Sequence, residues 1–174
     1  MHFFLDFFVY LQAKKPTSAM NLRLLTFFFV FFCTMICVAQ NFELRKEHDS
    51  LYWLNSWRLP YPIYQYQTGD VDGDGRTDAI VGVIKGTRFY PEKARRIFIF
   101  KDVNGKARPL WLGSKLGGEL EDFRYADGKI RALERTTDGQ YVVSDYVWGG
   151  FGMVFDHYII KGVDKETAIK TLNR

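Results

Sequence analysis

Three dipeptides, Asn104-Gly105, Asp127-Gly128 and Asp138-Gly139, punctuate the second half of the chain. Asn-Gly and Asp-Gly supply the positive φ values that two-residue hairpin turns demand. Around them stand short runs that alternate apolar and polar residues or are continuously apolar: "YPIYQYQ", "AIVGVIKG", "RRIFIFKD", "KARPLWLG", "ELEDFRYA", "GKIRALERT", "QYVVSDYVW" and "GMVFDHYIIK". So many turn signals at such spacing leave no room for long helices. The expected fold is therefore all-β, an antiparallel meander of about eight strands forming a small sandwich, a barrel or a partial propeller. The tail "VDKETAIKTLNR" reads as a short helix capped by Asp164, with Ala168, Ile169 and Leu172 on one side. "NFELRKEHDSLYWLNSWRL", residues 41–59, shows no clean period and reads as a packing segment with at most one helical turn.

The N-terminal part stands apart from this pattern. Residues Leu22 to Ala39, "LRLLTFFFVFFCTMICVA", give a basic start, an apolar middle and a small-residue end, the layout of a secretory signal peptide. "MNLRLLTFFF" from Met20 makes the better start, so residues 1–19 read as the product of a start codon placed too far upstream. The other reading of residues 1–39 is an uncleaved membrane anchor, since about 18 apolar residues can span a bilayer. Lys14, Lys15 and Arg23 all precede the uncharged apolar part of the run, which by the positive-inside rule exports everything after it. The expected organisation is a signal or anchor over 1–39 and one exported domain over 40–174, periplasmic or extracellular. Cys33 and Cys37 both lie in the apolar run, so the exported part has no cysteine to form a disulfide. "TMIC" lacks the small residues that precede a lipid-attachment cysteine, which leaves lipidation of Cys37 as the lesser alternative. The exported part is only slightly basic over a mixed surface, which is no footprint for nucleic acid.

"GDVDGDGRTDAIVGV", Gly69 to Val83, sets four aspartates against an apolar strand. Asp70, Asp72, Asp74 and Asp78 fall at places one, three, five and nine of a loop, with Gly75 at six. Alternate positions in a tight turn direct three carboxylates at one centre, and the backbone carbonyl of Arg76 at place seven can add an oxygen. That is the opening of the oxygen cage a Ca²⁺ ion requires, with ligands at about 2.3–2.6 Å. An EF-hand would need a bidentate Glu at the twelfth place, and Val81 stands there, inside a strand.

The loop resembles instead the FG-GAP or VCBS repeats of integrin α-chains and many exported bacterial proteins. Their loops read D-x-D-x-D-G-x-x-D and lead into a strand of a propeller blade. The match runs from Gly69 to Lys101, with "RRIFIFKD" similar to the blade's next strand. The resemblance implies Asp70, Asp72, Asp74 and Asp78 as Ca²⁺ ligands. A full propeller needs about four to eight blades of four strands, and one loop with eight strands does not supply them.

Other chemistry is thinly represented. His48, His157 and Ser114 show no catalytic context, and neither Cys-x-x-Cys nor His-Glu-x-x-His zinc spacing occurs. Glu119, Glu121 and Asp122 offer carboxylates for a glycosidase pair, but nothing in the sequence fixes their separation. Trp53, Trp57, Trp111 and Trp148 and the tyrosines serve first as core, second as a ligand surface. "VWGGFGMVF", with three glycines among large rings, suits a sharp bend or bulge. The expected function is an exported, non-catalytic, Ca²⁺-binding β-module for a protein or glycan partner, with the membrane reached only through an anchor. An inhibitor of an extracytoplasmic hydrolase such as lysozyme is the alternative, and a small carbohydrate-active enzyme the next.

Overall fold

A computed structural model describes residues 42–174, so the expectations for the signal or anchor segment over 1–39 lie outside the described residues. The chain runs β1 (Leu44–His48), β2 (Leu51–Leu54), β3 (Trp57–Leu59), β4 (Ile63–Gly69), β5 (Asp78–Lys85) and β6 (Ala94–Val103). It continues with β7 (Lys106–Leu112), β8 (Glu119–Ala126), β9 (Lys129–Arg135), β10 (Tyr141–Trp148), β11 (Met153–Val163) and, alone among the described residues, a helix, α1 (Lys165–Leu172). The strands form three antiparallel sheets, ordered β1-β2-β3, β4-β5-β6-β7 and β8-β9-β10-β11, and none closes into a barrel. Each strand therefore pairs with its neighbour in sequence, the meander that the turn residues demand. Asn104 and Gly105 take φ values of 56° and 78°, and Asp127 and Gly128 values of 52° and 75°, as two-residue hairpin turns require.

Two expectations are corrected. Asp138-Gly139 is not a two-residue turn. It lies in a five-residue connection from Thr136 to Gln140, closed by Thr136 N donating to Gln140 O at 2.9 Å. Residues 44–59 are not a loose packing segment but a sheet of three short strands, which raises the count from about eight to eleven. Asn55 makes its second turn by taking φ 51° itself, while its side-chain oxygen accepts from Glu43 N at 2.8 Å.

The sheets stack in layers, and β4–β7 is the middle one. On β5, Ala79, Val81 and Val83 pack with Leu54, Leu59, Phe98 and Phe100 beneath the first sheet. Ile80 on the opposite face joins Ile97, Ile99, Phe123 and Ile130 against the third. Burial on both faces explains why "AIVGVI" reads as a continuous apolar run instead of alternating. Gly82 is part of that packing. A Cβ there would lie 2.7 Å from the Tyr64 ring and 2.9 Å from that of Phe123, which meet edge-on at 6.1 Å.

Helix α1 covers the outer face of the third sheet with Ala168 and Leu172, packed on Leu133 and Val143. Asp164 caps it, accepting from Thr167 N at 3.0 Å, as the sequence suggests, but Ile169 stays exposed. β11 closes that sheet on one side. Three times it advances two residues for one of β10, leaving Asp156, Ile159 and Gly162 without a cross-strand partner. These bulges bring Phe155 and Tyr158 together, with ring centroids 4.7 Å apart, on an exposed surface.

Candidate metal centre

The acidic loop joins β4 to β5 and is anchored from the third sheet. Both β4 and β8 are sheet edges, and side chains of the first satisfy backbone groups of the second. Gln65 Nε2 donates to Phe123 O at 2.6 Å, and Tyr125 N donates to Gln67 Oε1 at 2.7 Å. This stitching sets the Tyr125 ring where a Cβ on Gly69 would stand, 2.1 Å away. The Tyr125 hydroxyl then donates to the carbonyl of Asp70 at 2.7 Å.

Within the loop, Asp70 is wrapped by the backbone. Its Oδ1 accepts from Gly73 N at 2.8 Å and Asp74 N at 3.1 Å, and its Oδ2 from Gly75 N at 2.8 Å. Three donated N–H bonds fix the carboxylate and shape the turn. Asp72 Oδ1 accepts a longer bond from Asp74 N, at 3.3 Å. Asp78 opens β5 and is fully buried. Its Oδ2 accepts from Val71 N at 2.9 Å, while its Oδ1 has no hydrogen-bond partner among the described residues. Burial pushes the Asp78 carboxyl up to about 6, and the negative charges of Asp72 and Asp74 add to the rise against the opposing pull of Val71 N–H and Lys101. A buried carboxylate oxygen without a partner carries a desolvation penalty that only a cation, a proton or a donor can relieve.

Asp70, Asp72 and Asp78 each offer one oxygen, and these oxygens lie within 4.8 Å of one another. Ca²⁺–oxygen distances of about 2.3–2.6 Å put ligand oxygens at that order of separation, so the three could in principle hold one metal ion. Asp74 behaves differently from the equal ligand its spacing suggests. Its Oδ1 accepts from Arg76 N at 2.9 Å, and its Oδ2 takes the Arg76 guanidinium at 2.8 Å and the Lys101 ammonium at 2.5 Å. Those two cations hold its carboxyl well below the usual carboxylate range, Lys101 contributing most. Arg76 thus enters the geometry through its side chain and N–H. Lys101 reaches Asp72 Oδ2 as well, at 2.5 Å.

Lys101 and Tyr125 escape sequence reasoning because sheet pairing and sheet stacking, not local spacing, bring them to the loop. The other candidates remain dispersed. His48 contacts Ser50 at the β1–β2 turn, His157 lies exposed on β11 beside Asp156, and Ser114 is exposed between β7 and β8. Glu119 pairs with Arg135, Glu121 with Lys165 at 3.2 Å, and Asp122 accepts from Phe123 N at 2.9 Å. A recess of about 640 Å³ on the third sheet includes Glu119, Glu134, Tyr146, Phe155 and Tyr158 in its lining. Glu134 at its floor is buried and already engaged, accepting from Gly118 N at 2.7 Å and from the Tyr146 hydroxyl at 2.8 Å.

The fold and the loop define a class: an all-β protein of stacked antiparallel sheets with three aspartates gathered where one sheet turns back on itself. No family model, no curated protein and no solved structure matches the chain.

Proposed function

We propose that the chain is an exported, non-catalytic Ca²⁺-binding β-module of FG-GAP type that engages a protein or glycan partner. The observation that carries this reading is Asp78: fully buried, with one oxygen unpartnered and set among the carboxylates of Asp70 and Asp72. A divalent ion there would satisfy that oxygen and cancel the repulsion among the three, so its role is to pin the β4–β5 loop. The experiment is a Ca²⁺ titration of residues 40–174 read by melting temperature and by calorimetric heat. It must reach millimolar concentration, because extracellular sites work at dissociation constants of about 10⁻⁴–10⁻³ M. At about 100 times its dissociation constant the ion would add about 2.7 kcal/mol of stability. Absence of both heat and melting shift at that concentration would leave the loop a solvated turn.

A second reading is supported by the β5–β6 connection. Arg88 and Phe89 stand at its tip, Phe89 being 81% exposed. Thr87 N donates to Tyr90 O at 2.8 Å, and a Cβ on Gly86 would lie 2.2 Å from Pro91 O, so the loop is closed upon itself. A closed, projecting turn bearing a cation and a ring suits insertion into an acidic enzyme cleft, as an inhibitor of an extracytoplasmic hydrolase requires. Inhibition of lysozyme that is lost on replacing both Arg88 and Phe89 by alanine would favour it over the glycan module.

A further inference from the structure

The loop already contains a cation of its own. Lys101 leaves β6 beside the loop and sets its Nζ 2.5 Å from Asp72 Oδ2 and 2.5 Å from Asp74 Oδ2. Its side chain is 19% exposed, and those of Asp72 and Asp74 are 12% and 25% exposed, so the contact is largely shielded from solvent. The ammonium therefore neutralises two carboxylates of the loop at once, and one of them, Asp72, belongs to the group that brackets the space for an ion.

We propose that Lys101 is an affinity-setting competitor, a tethered cation that keeps the loop assembled when Ca²⁺ is absent and must yield Asp72 when the ion enters. The inference rests on the Ca²⁺ reading given above. A carboxylate whose charge an ammonium already neutralises attracts a metal ion less strongly, whichever of its two oxygens the ion takes. Two positive centres drawn to one carboxylate also repel each other. A lysine stem of four carbons lets the ammonium swing toward solvent or shift wholly onto Asp74, where Arg76 already competes for it. The free energy of that displacement is subtracted from the intrinsic affinity of the oxygen cage, so the site binds more weakly than the same cage without Lys101. An ammonium carries one charge to the ion's two and offers hydrogen bonds in place of ligation. It relieves the repulsion between Asp72 and Asp74 but leaves the unpartnered oxygen of Asp78 as it was.

The test compares wild type, Lys101→Met and Lys101→Arg in a Ca²⁺ titration by calorimetry and in melts with chelator or with millimolar Ca²⁺. Lys101→Met should bind Ca²⁺ about tenfold tighter or more, the size of two partly exposed ammonium–carboxylate contacts. Its melting temperature should fall below that of wild type in chelator, and its Ca²⁺-induced rise should be the larger of the two. Lys101→Arg keeps a charge at the site and should stay close to wild type. If Lys101→Met fails to fold in chelator, recovery of the folded state on adding Ca²⁺ reports the same competition. Equal or weaker affinity in Lys101→Met, with wild type binding, overturns the competition and leaves the Ca²⁺ reading standing. Binding by Lys101→Met alone supports the competition and removes Ca²⁺ from the function of the wild-type chain. Absence of binding in both overturns both.

Discussion

Replacing Asp78 by asparagine separates the cost of a buried charge from the benefit of a bound ion. Asparagine keeps the shape of the side chain, and its oxygen can accept from Val71 N as Asp78 Oδ2 does. Its amide nitrogen then stands at the Oδ1 position and carries no charge into the buried site. The carboxyl of Asp78 titrates at about 6 in the fold against 3.8 for an unperturbed aspartate. Because the folded value is the higher, this group's contribution to stability is complete below about pH 4 and is lost as pH rises through about 6. At 1.36 kcal/mol per tenfold the interval corresponds to about 3 kcal/mol, a ceiling for the ionised, metal-free protein. Asp78→Asn should therefore be the more stable protein in chelator at neutral pH, by about 1–3 kcal/mol.

Melts in chelator from about pH 4 to about pH 7.5 check this. Wild type should lose ground to the variant progressively across that range, ending roughly 3–10 °C lower for a domain of this size. Millimolar Ca²⁺ should narrow the gap, because only wild type retains the third carboxylate of the cage, and Ca²⁺ near 100 times its dissociation constant, worth about 2.7 kcal/mol, should close it. A variant less stable than wild type in chelator at neutral pH, or two pH profiles that run parallel, would refute the reasoning about Asp78.

Asp74→Ala removes the carboxylate that Arg76 and Lys101 share, and should lower the chelator melting temperature by the few degrees that a loss of about 1 kcal/mol or less produces. Arg131→Met leaves the buried Asp145 without its guanidinium partner, now 3.0 Å away, and should cost about 3 kcal/mol in urea denaturation. Asp145→Asn, which removes the charge itself, should cost less. Gly82→Ala drives a methyl group into the Tyr64–Phe123 pair and should shift the urea midpoint by the equivalent of about 1–3 kcal/mol, although no residue of the loop is touched.

Much of the third sheet was legible because its strands are long and two of its neighbours are joined by Asp127-Gly128, whose chemistry admits few alternatives. β5 was legible for the opposite reason: an unbroken apolar run cannot be a half-solvated strand, and its burial on two faces bears that out. The first sheet was opaque. Its strands are three to five residues long, and its turns, Asp49-Ser50 and Asn55-Ser56, contain no glycine to announce them. At the loop, spacing alone indicated that aspartates at alternate positions converge. It could not show that Asp74 turns to Lys101, which lies 27 residues further on and arrives through the pairing of β5 with β6. Nor could spacing show how deeply Asp78 is buried, since that follows from the layer packed over the start of β5.

The bulged strand β11 has a bearing on how the molecule behaves in a crowd. It lies at the edge of its sheet with Val154, Phe155 and Tyr158 exposed, and Phe151 at the preceding turn is 96% exposed. Apolar side chains on a long open edge ordinarily invite a strand from another molecule to extend the sheet. Here Asp156, Ile159 and Gly162 interrupt the ladder at every third residue, so an incoming straight strand would lose register before it had formed more than a bond or two. The irregularity that groups the rings into one patch also denies them a template for fibril growth. Its removal would trade a soluble edge for one that polymerises.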